Sequence, residues 1–189
     1  MENWQISLIS ALLGALVGGL ATYYFNKRHA DELEDKTRTA LAKALSAELS
    51  SLWKIYMAVV GTRIENYNNN NEEIPYGILP VRNNFFQVLD NSANQLGLFE
   101  PKVAQKIIET YINFKAFFEE LIYLGKLNER FTDADNAYKS GRTAHSEENL
   151  NEINKVSPKI LGYFEYLKNR HFEVKKLIEE TTALLDGIK

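Results

Sequence analysis

From Ile6 to Phe25 the chain runs for twenty residues without a charged side chain. As an α-helix this run is about 30 Å long, the thickness of a bilayer's hydrocarbon core. A cleaved secretory leader would have basic residues ahead of a shorter apolar core and a small-x-small cleavage site. Here Glu2 is the one charged side chain before the run, which ends in Tyr23, Tyr24 and Phe25. Those aromatics, with Trp4 at the other end, suit the two interfaces of a retained transmembrane helix. Lys27 and Arg28 follow at once, Lys36 and Arg38 lie a little further on, and no Lys or Arg precedes. The positive-inside tendency therefore predicts a single-pass protein of the cell membrane, its N-terminus outside and its C-terminal body cytoplasmic. The sequence holds no Asn-x-Ser/Thr acceptor, which agrees weakly.

Within the run, Ser7, Ser10, Gly14, Gly18 and Thr22 recur at steps of three and four, with Ala15 and Gly19 beside them. In lipid, burying one apolar surface against another gives no net drive. Helices associate instead where small side chains let their backbones approach. This face is the expected oligomerisation surface, for a homo-oligomer or for a ring whose small, weakly polar face lines a pore. Small residues are also common in membrane spans generally, so the motif leaves a monomeric anchor open.

The division predicted is a transmembrane anchor over 1–28 and a cytoplasmic helical body over 29–189. With 45% hydrophobic and 25% charged residues, the body has enough apolar material for a core. A net charge of −3 and a pI near 5.7 give no basic footprint for duplex nucleic acid. The absence of cysteine removes disulfides, thiolate metal sites and cysteine nucleophiles together.

Helical periodicity dominates the body. Leu33, Thr37, Leu41, Leu45, Leu49, Leu52, Tyr56, Val59 and Arg63 mark one face of a long helix that starts near Ala30. It forms one rod with the span or bends around Asn26 to Ala30, since no Gly or Pro separates the two. Asn66 to Asn71 is an asparagine-rich loop, and Pro75, Gly77 and Pro80 extend it. A second helix is expected over Val81 to Gln95, ended by Gly97. A third is opened by Pro101, with Val103, Ile107, Tyr111, Phe114, Phe118, Leu121 and Ile122 on its inner face. Thr132 to Ser146 is expected as a polar connection. Glu147 to Val156 is expected as a short helix, with Ser157-Pro158 capping a last helix whose stripe is Ile160, Phe164, Leu167, His171, Val174, Ile178 and Leu185. The fold class predicted is all-α, an N-terminal transmembrane helix followed by an antiparallel helical bundle.

Chemistry-bearing patterns are sparse. Of the three histidines, His29 follows the basic pair, His145 lies in the polar connection, and His171 falls on the apolar stripe of the last helix. The bland reading of His171 is a partly buried histidine with a backbone or carboxylate partner. The sharper one is the base of a helical HEPN-type ribonuclease, which carries Arg and His separated by four to six residues. Positions 164, 165 and 166 are Phe, Glu and Tyr, so that arginine is missing, and His145 fails the same test. Glu119-Glu120 and Glu179-Glu180 are adjacent carboxylates that diverge by about 100° on a helix and are expected on solvated faces. No Glu-x-x-His, His-x-x-x-His, phosphate loop or serine elbow occurs. Neither a metal site nor a cofactor is expected. Trp53, Tyr56, Phe85, Phe86, Phe117 and Phe118 are expected in the core rather than around a ligand.

One span, a basic stop and a helical body together resemble a set of small bacterial membrane proteins. The stretch Phe85-Phe86-Gln87-Val88-Leu89-Asp90-Asn91-Ser92, then Leu96-Gly97-Leu98-Phe99 and a proline-opened helix, looks like a helix–turn–helix recurring in that set. The layout is also similar to the single-pass accessory proteins encoded beside RNA-targeting CRISPR effectors. That resemblance implies an anchor joined to a degenerate HEPN-like bundle, assembled as a membrane pore in antiphage defence. The expected function is thus a non-enzymatic membrane protein that self-associates through its span. A membrane scaffold recruiting a soluble protein partner and a divergent HEPN-like ribonuclease stand as alternatives.

Overall fold

The computed structural model describes residues 3–67, 85–140 and 146–188, with the side chains of 3–14 and 146 outside the description. Helix α1 covers Asn3–Tyr56 and passes through a π-helical turn, Met57–Gly61, into the short α2, Thr62–Asn66. Helix α3, Gln87–Ser92, runs into a 3-10 turn, Ala93–Leu98, and two long helices follow, α4 at Pro101–Lys139 and α5 at Ser146–Asp186. No strand occurs among the described residues, as an all-α fold requires.

Helix α1 crosses the expected boundary at 28 and 29 without interruption, so the segment expected as an anchor and the first body helix are one rod. Residues 15–37 are exposed throughout. The buried stripe starts at Leu41 and continues through Leu45, Leu49, Leu52 and Tyr56. Leu33 and Thr37, expected on the inner face, are instead exposed, Leu33 by 59%. The cause is the reach of the neighbours. Ser46 donates to Asp186 at 2.8 Å in the last turn of α5, so little of the body extends beyond that level. Beyond Tyr56 the stripe also departs from expectation, since Val60 and Ile64 are buried and Arg63 is exposed. Repeated four-residue steps drift around an α-helix. The wider π turn takes up that drift and keeps Tyr56, Val60 and Ile64 aligned.

The bundle is not four antiparallel helices. Glu48, Trp53 and Tyr56 of α1 meet Tyr111, Phe114 and Phe117 of α4 in the same order, so α1 and α4 run parallel. Helix α5 runs against both. Thr110 meets Thr181, Glu120 meets Tyr166 and Arg130 pairs with Glu152, while Ser46 and Tyr56 meet Asp186 and His171. The second long helix expected over 81–95 is the six-residue α3 plus its 3-10 turn. Gly97 lies inside that turn, and 81–84 are outside the described residues. Glu48 seats α3 by accepting the Val88 amide at 2.7 Å, and Phe86 and Phe99 are buried on either side.

One expected break is helical, and another is helical over most of its described part. Helix α4 continues through Thr132 to Lys139, held by buried Ala134, while 141–145, with His145, lie outside the described residues. Pro158 sits inside α5 rather than opening a new helix. Pro158 and Asn154 are exposed, so the carbonyl that proline leaves without an N–H faces water. The stripe from Val156 and Ile160 to Leu185 crosses the proline without a change of face. Among the described residues no helix is long and apolar enough to cross a membrane. The side chains of 6–14, the first part of the Ile6–Phe25 run, lie outside that description.

Candidate functional site

One turn of helix α5 gathers polar side chains, and it reaches both of the other long helices, α1 and α4. His171 is 0% exposed. Its Nδ1 lies 2.7 Å from the Tyr56 hydroxyl and its Nε2 lies 3.1 Å from Glu65 Oε1. Lys175, one turn further along α5, donates to the same Glu65 oxygen at 2.8 Å. A carboxylate only accepts, so Nε2 carries the proton and Nδ1 accepts from Tyr56. The order of donation is Tyr56 to His171 to Glu65, with Lys175 closing the chain at the surface.

The surroundings sharpen this assignment. Trp53 lies 5.3 Å from the His171 ring and Phe172 lies 5.0 Å away, centroid to centroid. Burial pulls the His171 pKa below its ordinary 6.5, although the bond to Glu65 acts the other way. Hydrogen bonds from Lys175 and then His171 hold the Glu65 carboxyl below 4.5. Burial, and after it the charge of Glu65, push the Tyr56 hydroxyl well above 10. His171 is thus neutral, with both nitrogens engaged inside the protein.

Tyr56 and Glu65 stand on opposite sides of the π turn Met57–Gly61, so one histidine ties both its ends to α5. Gly61 makes this approach possible. A Cβ there would lie 2.5 Å from Met57 Sδ and 2.8 Å from Tyr56 Cε1. Beyond the turn, Tyr67 packs edge-on against Phe164 and accepts at its carbonyl from Lys168 at 3.2 Å.

Arg170 points from the same turn toward α4. It donates to Asn113 at 3.2 Å and to Glu173 at 2.7 Å, and its Nε lies 3.7 Å from Glu120 Oε2. Those last two atoms are buried with no hydrogen-bond partner and face one another as charges. Glu120 accepts from Tyr166 at 2.8 Å through its other oxygen, so this carboxylate is not on the solvated face expected of it. Glu179 and Glu180 are exposed, as expected, and Glu180 pairs with Lys106 at 2.8 Å.

The aromatics expected in the core are there. Tyr56, Phe86, Phe117 and Phe118 are buried, and Trp53 and Phe85 pack against them. Among the described residues no group of acidic or histidine side chains could hold a metal ion. A depression of about 460 Å³ lies at the end of the body nearest the exposed part of α1, lined by Phe99, Val103, Leu184 and Ile188. Arg38 on its rim is paired with Asp35.

The second candidate surface is the exposed stretch of α1. Leu16, Val17, Leu20, Tyr23, Tyr24 and Phe25 are each between 61% and 68% exposed. Of the small face, the side chains of Ser7, Ser10 and Gly14 lie outside the described residues. Among the described residues, and apart from its own helix backbone and chain neighbours, nothing lies within 4 Å of a Cβ placed on Gly18 or Gly19. Thr22 donates to the Gly18 carbonyl at 2.8 Å, which satisfies its hydroxyl within its own helix. Lys27 and Arg28 are exposed, Arg28 paired with Glu32 at 3.2 Å, and His29 beside them is exposed as well.

Sequence periodicity placed His171 on its stripe but did not find Glu65, which is 106 residues away and on no shared pattern. The Arg170–Glu120 pair was missed for the same reason. The π turn was missed because Met-Ala-Val-Val-Gly carries no local signal for it. Comparison with known proteins adds no relative: no family, no curated protein and no solved structure matches the chain.

Proposed function

We propose that this chain is a single-pass membrane protein that self-associates through its N-terminal helix and holds its helical body at the cytoplasmic face. The observation that carries this proposal is the exposed stretch 15–37 of α1, whose large apolar side chains are not covered by any of the described residues. Burying side chains of that size is worth about 1.5–3 kcal/mol each, and a bilayer supplies the burial that the body does not. Lys27 and Arg28, exposed just past Phe25, favour the orientation with the body inside. Gly18 and Gly19, open on one side, favour close approach of a second copy. Pore formation in antiphage defence is the form of this function that the resemblance implies. A non-enzymatic role is favoured by His171, which has no nitrogen turned toward a substrate.

Fractionation tests the anchor. The intact protein is expected in the membrane fraction after an alkaline carbonate wash, and the double substitution Leu16→Asp, Leu20→Asp should move it into the supernatant. Release of the unsubstituted protein by the same wash would overturn the proposal.

A further inference from the structure

The tie between α5 and the two ends of the π turn has a property the anchor does not need. Its Tyr56 end hangs on one titratable ring, while Glu65 at the other end is also held by Lys175. We propose that His171 is a pH-operated latch: neutral, it holds Tyr56 against α5, and protonated, it lets the π turn Met57–Gly61 loosen. This rests on the geometry of the node and is independent of the membrane proposal.

Protonation changes the role of one nitrogen. Nδ1 turns from acceptor to donor, and the Tyr56 O–H, 2.7 Å away, loses its acceptor. Tyr56 is 0% exposed, so no solvent takes its place. The groups facing His171 are Tyr56 from α1, Glu65 from α2 and Lys175 from α5. Helix α4 presents the rings of Phe117 and Phe118 to Tyr56, and neither titrates. Glu65 would keep its bond to a charged ring, while Lys175 opposes the charge. The strained partner is therefore Tyr56, which leads directly into the π turn. At the far end Tyr67 stays packed on Phe164, so the loosening is local.

The direction follows from linkage. A histidine held neutral in the latched state and ordinary in the released state takes up a proton on release. Acid then favours release, by up to about tenfold per pH unit below about 6.5. Peptide-resolved hydrogen exchange on the full chain in detergent, corrected for the intrinsic pH dependence of exchange, reads this directly. Between about pH 7.5 and 5.5, protection should fall over 57–61 while α4 between Ile107 and Leu124 keeps its own. His171→Gln, which can accept from Tyr56 and donate to Glu65 without titrating, should abolish the response. Tyr56→Phe should be as loose at pH 7.5 as the unsubstituted chain is in acid. Unchanged protection over 57–61, equal loss across all helices, a response that survives His171→Gln, or full protection in Tyr56→Phe at pH 7.5 would each overturn the latch.

Discussion

A histidine at 0% exposure must find partners for both ring nitrogens within the protein, and His171 finds them in Tyr56 and Glu65. His171→Ala removes both partners at once and leaves a cavity among Trp53, Tyr56 and Phe172. Its expected cost in chemical denaturation is about 3–5 kcal/mol, against about 1–2 kcal/mol for Tyr56→Phe, which removes one hydroxyl. The pH dependence of stability has a definite sign. The His171 pKa lies below 6.5 in the folded chain, so its contribution is complete above that value and is lost as pH falls through the folded pKa. Glu65, held below 4.5, adds a second loss at lower pH in the same direction. Denaturation midpoints should hold from about pH 7.5 to 6.5 and fall from there down to about pH 4, and a rise below pH 6 would contradict this account. The bland reading of His171 was legible in the sequence because a lone polar residue on a three- and four-residue stripe must be satisfied there. The identity of its partners was not legible, because contacts between distant segments leave no spacing to read.

Two element-scale features behave differently from what their residues suggest in isolation. Gly61 sits in the π turn where an added methyl would meet the Tyr56 ring and Met57, so Gly61→Ala should destabilise by about 1–3 kcal/mol. The Met57 sulfur can move aside, but the buried Tyr56 ring cannot do so without leaving His171. Pro158 is the converse case. It lies inside α5, exposed, with the apolar stripe running past it. Pro158→Ala restores the missing N–H and should stabilise by about 1–2 kcal/mol, read as a higher denaturation midpoint. A neutral or destabilising result would mean that the proline sets a bend the bundle needs. The same proline shows where sequence reading gives out. Ser157-Pro158 is a sound start signal, and the continuous burial of Val156 and Ile160 outweighed it. The long stripes of α4 and α5 were legible because period alone identifies them. The parallel course of α1 and α4 was not, since it rests on contacts between distant segments such as Glu48 with Tyr111 and Tyr56 with Phe117.

For the whole molecule, the distribution of burial along α1 matters most. The rod is one helix from Asn3 to Tyr56, yet its described side chains are exposed from 15 to 37 and the buried stripe starts at Leu41. The exposed part presents large apolar side chains around an open glycine face, an arrangement costly in water and ordinary in lipid. The measurement that bears most directly on this is the mass of the full-length protein in detergent, corrected for bound detergent, beside Gly14→Leu, Gly18→Leu. A discrete oligomer that falls to lower mass in the double variant is the predicted result. A full-length protein that is monomeric, or an oligomer that both leucines leave unchanged, would contradict self-association through this face.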